Sequence, residues 1–137
     1  MNPSSGRDVL VVDDNADLVE VMAMTLEDAG YSVRSARNGQ EALDAVAERM
    51  PDLVLLDMLM PVMDGWQCAR ELRARYGRRI PIVVVTAAEH ARASAEQIGA
   101  DDVLSKPFDL SLLLRLVARY VGRAADSAPV KDSAQPA

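Results

Sequence analysis

The sequence predicts an α/β domain built on a doubly wound parallel sheet with helices on both faces, and three observations carry that prediction. Val9-Leu10-Val11-Val12, Leu53-Val54-Leu55-Leu56 and Ile80-Pro81-Ile82-Val83-Val84-Val85 are apolar runs without alternation, as expected of strands covered on both sides. Stretches of helical periodicity separate the strands, so strand and helix alternate five times, and right-handed crossovers make such a sheet parallel. The distinctive polar residues fall at strand C-terminal ends, where the loops of a doubly wound sheet converge: Asp13 and Asp14, Asp57, Thr86, and Lys106.

Composition narrows the function. The 137 residues suit one domain with a normal core, and 50% hydrophobic with 26% charged residues describes a soluble globular chain. A formal net charge of -6 argues against direct nucleic-acid binding, which needs cationic surface to replace counterions. Cys68 is the only cysteine, which excludes an internal disulfide and any cysteine-rich zinc site. No apolar run approaches membrane-spanning length and residues 1–7 lack the apolar core of a secretory signal, so the expectation is a cytoplasmic protein without membrane contact.

The elements follow in order. Residues 1–7 are small and polar and read as a flexible N-terminal tail; residues 8–122 carry the folded domain. After the first strand, residues 15–29 place Leu18, Met22, Thr25 and Ala29 on one helical stripe that Gly30 stops. Residues 31–36 alternate, as suits a strand nearer the sheet edge, and Asn38-Gly39 marks a turn. Ala42, Leu43, Val46 and Met50 then share a helical face that Pro51 ends. Asp57 closes the central strand. Asp64-Gly65 opens a helix with Cys68, Ala69, Leu72 and Tyr76 on one face, and Cys68 reads as a core residue. The fourth strand ends at Thr86, and an alanine-rich helix carrying the solvated His90 runs to Gly99. Residues 102–105 form a short fifth strand, followed by Lys106-Pro107. Asp109 is placed to cap a last helix whose core stripe is Leu110, Leu113, Leu114, Val117 and Val121. Leu112, Leu116 and Tyr120 widen its apolar arc, as a contact face would or as a broad packing stripe would. Residues 123–137 lack periodicity and read as a disordered C-terminal tail.

The strand ends suggest chemistry. Carboxylates about 5 Å apart repel by roughly 3 kcal/mol per pair at an effective dielectric near 20, so Asp13, Asp14 and Asp57 together call for a cation. Oxygen ligands with few dedicated protein groups suit Mg²⁺, which keeps waters and bridges to phosphate. With a lysine and a hydroxyl beside it, such a pocket can stabilise a phosphoryl group in transfer, and Asp57 is the candidate acceptor.

Four stretches then resemble the receiver domain of two-component response regulators: Val11-Val12-Asp13-Asp14-Asn15; Leu55-Leu56-Asp57-Met58-Leu59-Met60-Pro61-Val62-Met63-Asp64-Gly65; Val84-Val85-Thr86-Ala87; and Gly99-Ala100-Asp101-Asp102-Val103-Leu104-Ser105-Lys106-Pro107-Phe108. The resemblance spans residues 8–122 and implies a flavodoxin-like, CheY-like sheet of order 2-1-3-4-5 with five helices. It implies that Asp57 takes phosphate from the phosphohistidine of a sensor histidine kinase or a histidine phosphotransfer protein. Asp14, Asp57 and the backbone carbonyl of Leu59 would bind Mg²⁺, with Asp13 acting through water; Thr86 and Lys106 would contact phosphoryl oxygens. Met58, Pro61 and Gly65 would shape the loop, and a cis Lys106-Pro107 bond the turn.

With no output domain in sight, the expectation is a stand-alone switch with self-phosphorylation and autodephosphorylation as its only chemistry. It would bind an output protein, or a second copy, at the helix 4/strand 5/helix 5 face through Leu112, Leu116 and Tyr120. Where the family usually carries an aromatic ring three residues before the lysine, this chain has Val103, which has no ring to swing. The competing readings are a phosphorylation-independent docking module of the same fold, a flavodoxin-like electron carrier and an aspartyl-phosphate hydrolase. The first loop's acids would repel a flavin phosphate, and the hydrolase would want an acid where Leu59 stands.

Overall fold

The computed structural model describes residues 7–60 and 62–122. Residues 1–6 of the tail expected at 1–7, the tail expected at 123–137, and the loop role expected of Pro61 lie outside the described residues. Arg7 is already tied in, its carbonyl accepting from the Ser32 N–H at 3.0 Å.

Five strands alternate with five helices: β1 Asp8–Val12, α1 Ala16–Asp28, β2 Ser32–Ala36, α2 Gly39–Glu48, β3 Leu53–Leu56, α3 Gly65–Tyr76, β4 Ile82–Ala87, α4 Ala88–Ile98, β5 Asp102–Lys106 and α5 Leu110–Val121. All pairings are parallel and the order is β2-β1-β3-β4-β5, so β2 and β5 are the edges. Two-sided burial explains the unbroken apolar runs. Successive side chains point to opposite faces: Leu10, Val12, Val54, Leu56, Ile82 and Val84 pack against α2, α3 and α4, and Val9, Val11, Leu53, Leu55, Val83, Val85 and Leu104 pack against α1 and α5.

Local chemistry sets the helix starts. Asn15 accepts from the N–H groups of Asp17 and Leu18, Asn38 from that of Glu41 and Asp64 from that of Gln67, each satisfying donors that have no partner inside the helix. Asp109 occupies the N-cap position of α5 but its side chain makes no cap bond, contrary to expectation. On α1 the buried residues are Met22 and Leu26. Thr25 instead turns its hydroxyl back to the Val21 carbonyl at 2.8 Å, which a polar side chain on the half-buried flank can do without losing a partner.

The last helix differs most from its expected phase. Leu113, Leu116 and Val117 are buried, Leu110 and Leu112 are each 39% exposed, and Leu114 and Val121 lie between. Leu116 belongs to the same buried cluster as Val9, Tyr31 and Leu53, on the α1/α5 side of the sheet. The Tyr120 hydroxyl donates to the Asp101 carbonyl at 2.8 Å and sits 3.0 Å from an Asp102 carboxylate oxygen. The expected contact face of Leu112, Leu116 and Tyr120 is therefore corrected: Leu116 belongs to the core, Tyr120 staples α5 to β5, and Leu112 alone stands clear.

Candidate functional site

Register brings the acids together. Val12 is opposite Leu56 in the β1–β3 ladder, so the next residues, Asp13 and Asp57, leave neighbouring strands side by side. The Asp57 N–H donates to the Val12 carbonyl at 2.9 Å and fixes that start. Asp13, Asp14 and Asp57 each offer a carboxylate oxygen within 4.8 Å of the others. Asp13 and Asp57 are 3% and 5% exposed, whereas Asp14 is open to solvent.

Lys106, the last residue of β5, reaches across β4 into this cluster. Its Nζ lies 2.9 Å from Asp13 Oδ2 and 3.6 Å from Asp57 Oδ1. The other Asp13 oxygen accepts from the Asn15 N–H at 2.9 Å, so both of its oxygens are engaged. Thr86, 1% exposed, stands on β4 between β3 and β5, in register with Ser105. The bond from Lys106 to Pro107 is cis, as the resemblance implied.

One cation for three carboxylates leaves the pocket short of positive charge. The Asp57 carboxyl is pushed up to about 6, first by burial and then by the Asp13 charge, with a smaller push from Asp14; Lys106 and the Leu59 N–H pull the other way. The donor set fits Mg²⁺: all oxygen, negatively charged, and open to solvent on the Asp14 side. The Leu59 N–H lies 3.5 Å from Asp57 Oδ1, which places that backbone against the cluster, and its side chain is 55% exposed.

The loop after Asp57 is held from beneath. The Gly65 N–H donates to the Met58 carbonyl at 3.0 Å, and a Cβ on Gly65 would fall 2.6 Å from the Asp57 carbonyl oxygen. Only glycine lets α3 begin this close to the acceptor strand. Met58 is fully buried in the core on the α3 side. Cys68 is buried there too, its thiol pushed up to about 12 mainly by burial, which removes it from nucleophilic chemistry. His90 is exposed on α4, away from any metal-holding group among the described residues.

Two features were not read from the sequence. An apolar groove of about 550 Å³ runs between α1 and the β5–α5 loop, lined by Asn15, Leu18, Val21, Lys106, Pro107, Phe108 and Leu110. Val21, 44% exposed on the far side of the α1 stripe, was its only sequence signal. On the other side of the sheet, Val103 is half-buried and lines a cavity of about 300 Å³ against α4 with Ala88, Ala91, Ala95 and Ser105. A short β-branched side chain facing alanines leaves that space open.

Comparison with known proteins agrees with this geometry. The sequence profile of the response regulator receiver domain matches residues 9–118. The chain is 38% identical over 132 residues to the phosphate regulon transcriptional regulatory protein PhoB of Pseudomonas aeruginosa, covering 92% of this chain and 58% of that protein. Among solved structures, the receiver domain of the sensor histidine kinase PA1611 from Pseudomonas aeruginosa, with a magnesium ion in its active-site cleft, superposes with a TM-score of 0.77 at 34% identity, over 86% of this chain and 99% of that one. The chemotaxis protein CheY4 of Vibrio cholerae gives 0.76 at 32% identity, over 83% and 98%. The chain spans little more than half the length of the curated relatives it matches. With the sheet order, the acid cluster and the lysine in place, the chain belongs to the response regulator receiver domain family of two-component signalling.

Proposed function

We propose that Asp57 accepts a phosphoryl group from the phosphohistidine of a sensor kinase or a histidine phosphotransfer protein, and that the resulting acyl phosphate switches partner binding or is relayed onward. The observation that carries this reading is three clustered carboxylates with a single lysine reaching two of them. An Asp57 oxygen attacks phosphorus, the bond from phosphorus to the histidine nitrogen breaks, and the imidazole leaves as the neutral base after taking a proton. Lys106 and the Thr86 hydroxyl meet the phosphoryl oxygens as charge spreads over them. Asp14, Asp57 and the Leu59 carbonyl would hold Mg²⁺, with Asp13, both oxygens already engaged, acting through water. Bound there, the ion supplies positive charge against the crowded oxygens of acceptor and phosphate.

Receiver domains are signalling modules rather than metabolic enzymes, so self-phosphorylation and loss of that phosphate are the only reactions assigned to this one. The groove of Leu18, Val21, Phe108 and Leu110 is continuous with Lys106, which suits it to the protein that delivers phosphate into the pocket beside it. Output is assigned to shifts of the loops and of α4, since Val103 offers no ring to carry the signal along β5. None of the helices among the described residues is long and apolar enough to cross a membrane, and we place the domain in the cytoplasm, where such kinases present their phosphohistidine.

The test is incubation with Mg²⁺ and acetyl phosphate followed by intact-mass and peptide analysis. Wild type should gain one acid-stable, base-labile phosphoryl group on Asp57, and Asp57→Asn none. Equal labelling of the Asn variant removes Asp57 from this role.

A further inference from the structure

Helices α2 and α3 lie side by side on one face of the sheet and carry opposite charge. α2 holds Glu41, Asp44 and Glu48 and no base, whereas α3 and the turn after it hold Arg70, Arg73, Arg75, Arg78 and Arg79 against Glu71 alone. That run of base stands out in a chain of net charge -6. Each helix buries one flank, Ala42, Leu43 and Val46 on α2 and Cys68, Ala69 and Leu72 on α3. Asp44, Ala47 and Glu48 on the first, and Arg70, Ala74 and Arg75 on the second, are left facing solvent.

Within the chain these charges do not meet. Among the described residues no ion pair joins α2 to α3: Arg73 and Arg78 turn to Asp101, Arg75 meets Glu71 on its own helix at 3.4 Å, and Arg70 and Glu48 have no charged partner. An exposed pair such as Arg75 and Glu71 is too weak to hold Arg75 against a better partner. The acid strip is also hollow. Glu41, Asp44 and Glu48 rim a recess of about 590 Å³ floored by Ala45 and Ala47. It suits an arginine, whose methylenes can lie on the alanines while its guanidinium meets carboxylates.

Register makes the two strips complementary to themselves. The Gly39 N–H donates to the Met63 carbonyl at 2.9 Å, and α3 begins two residues later at Gly65, so the helices start level. Both lead away from parallel strands and run the same way. Asp44 and Arg70 are each the sixth residue of their helix, and Glu48 and Arg75 are the tenth and the eleventh. A two-fold axis along the seam between the helices keeps every residue at its height and exchanges α2 with α3. It lays Asp44 of one copy opposite Arg70 of the other and Glu48 opposite Arg75, and each pairing occurs twice.

We propose that the α2/α3 face is a self-association surface on which a second copy of this chain docks through these pairs. The contact is small and led by charge, so the pair is weak and reversible. At physiological ionic strength the net charge of each copy is screened beyond roughly 8 Å, whereas charges in contact are screened much less. The groove beside Lys106 lies toward α1 and α5 on the other face of the sheet and stays open in the pair. The association does not depend on the acceptor role of Asp57.

The experiment measures self-association of the full chain by sedimentation equilibrium at about 0.15 M salt. Wild type should form a reversible dimer, and Asp44→Arg and Arg70→Glu, both at exposed positions, should each weaken it by about tenfold or more. Mixed in equal amounts, the two variants should recover the dimer, because acids of one then meet bases of the other at both pairings. Leu112→Arg, on α5, should associate as wild type does. A wild type that stays monomeric overturns the proposal and leaves the face to another partner. Reversal variants that dimerise like wild type, a mixture that stays monomeric, or a dimer lost in Leu112→Arg each overturn it too.

Discussion

The two ends of the sheet bury acids in opposite ways. At the end where the strands begin, Asp8 is 1% exposed and faces two arginines, Arg34 at 2.8 Å and Arg49 at 3.4 Å, while its own N–H donates to Asp52. Arg34 also donates to the carbonyls of Ala45 and Arg49, closing the C-terminal turn of α2. Two acids and two arginines balance there, and the result is a clasp between β1, β2 and α2. At the end where the strands finish, three acids cluster with Lys106 reaching two of them, and burial first, then the Asp13 charge, raises the Asp57 pKa. Buried charge matched within the chain holds structure; buried charge left unmatched awaits a ligand.

That contrast can be broken deliberately. The largest effect is expected at the balanced end: Asp8→Ala leaves the half-buried Arg34 without its carboxylate, holding only the Ala45 and Arg49 carbonyls, and should cost about 3 kcal/mol in denaturant unfolding, with the protein that remains folded still labelling at Asp57. An Asp8→Ala protein of wild-type stability would show that the clasp is incidental. Next, if Lys106 meets the phosphoryl oxygens as proposed, Lys106→Ala should slow labelling by about 100-fold while the chain stays folded, since it removes the lysine charge beside Asp57. A stopped-flow record of the fluorescence of Trp66, the only tryptophan, offers a second readout of the same step.

A smaller effect concerns pH in the absence of divalent ions. Asp57 sits near 6 when folded against 3.8 ordinarily, so the folded chain holds that proton more tightly than the unfolded one. Its contribution to stability is full below about pH 4 and fades as pH rises through about 6, by roughly 2–3 kcal/mol. Subtracting the curve for Asp57→Asn from that of wild type in EDTA isolates it; a flat difference removes the claim of unmatched charge. The smallest effect lies in the β3–α3 loop, where Val62 is 83% exposed at a φ of 69°. A β-branched residue is strained there and asparagine is not, so Val62→Asn should raise stability by about 1 kcal/mol, checked by its thermal midpoint.

Much of this was legible without coordinates, for stated reasons. Unbroken runs such as Val9 to Val12, too short for helices and bounded by turn residues, fit strands buried on both faces, and acids placed straight after them share an edge once the strands are parallel. Asp13, Asp14, Asp57, Thr86 and Lys106 were named on that basis, and the ladder brings the three acids and Lys106 within reach of one another, with Thr86 on the strand between. Where apolar residues surround a helix, pattern loses its meaning. Leu112, Leu113 and Leu114 are consecutive, so α5 could rotate by about a third of a turn with similar hydrophobic gain, and packing into the α1/α5 core chose the face that buries Leu116.

The chain's order of residues thus determined the class of fold, the parallel sheet and the chemical types gathered at its rim, because strand burial and crossover handedness follow from short-range patterns. Tertiary structure decided the rest: which side of α5 is core, that Asp8 meets Arg34 and Arg49, and that Lys106 spans two carboxylates. Those outcomes depend on side chains distant in sequence competing for the same space and the same charge, and no local pattern encodes the winner.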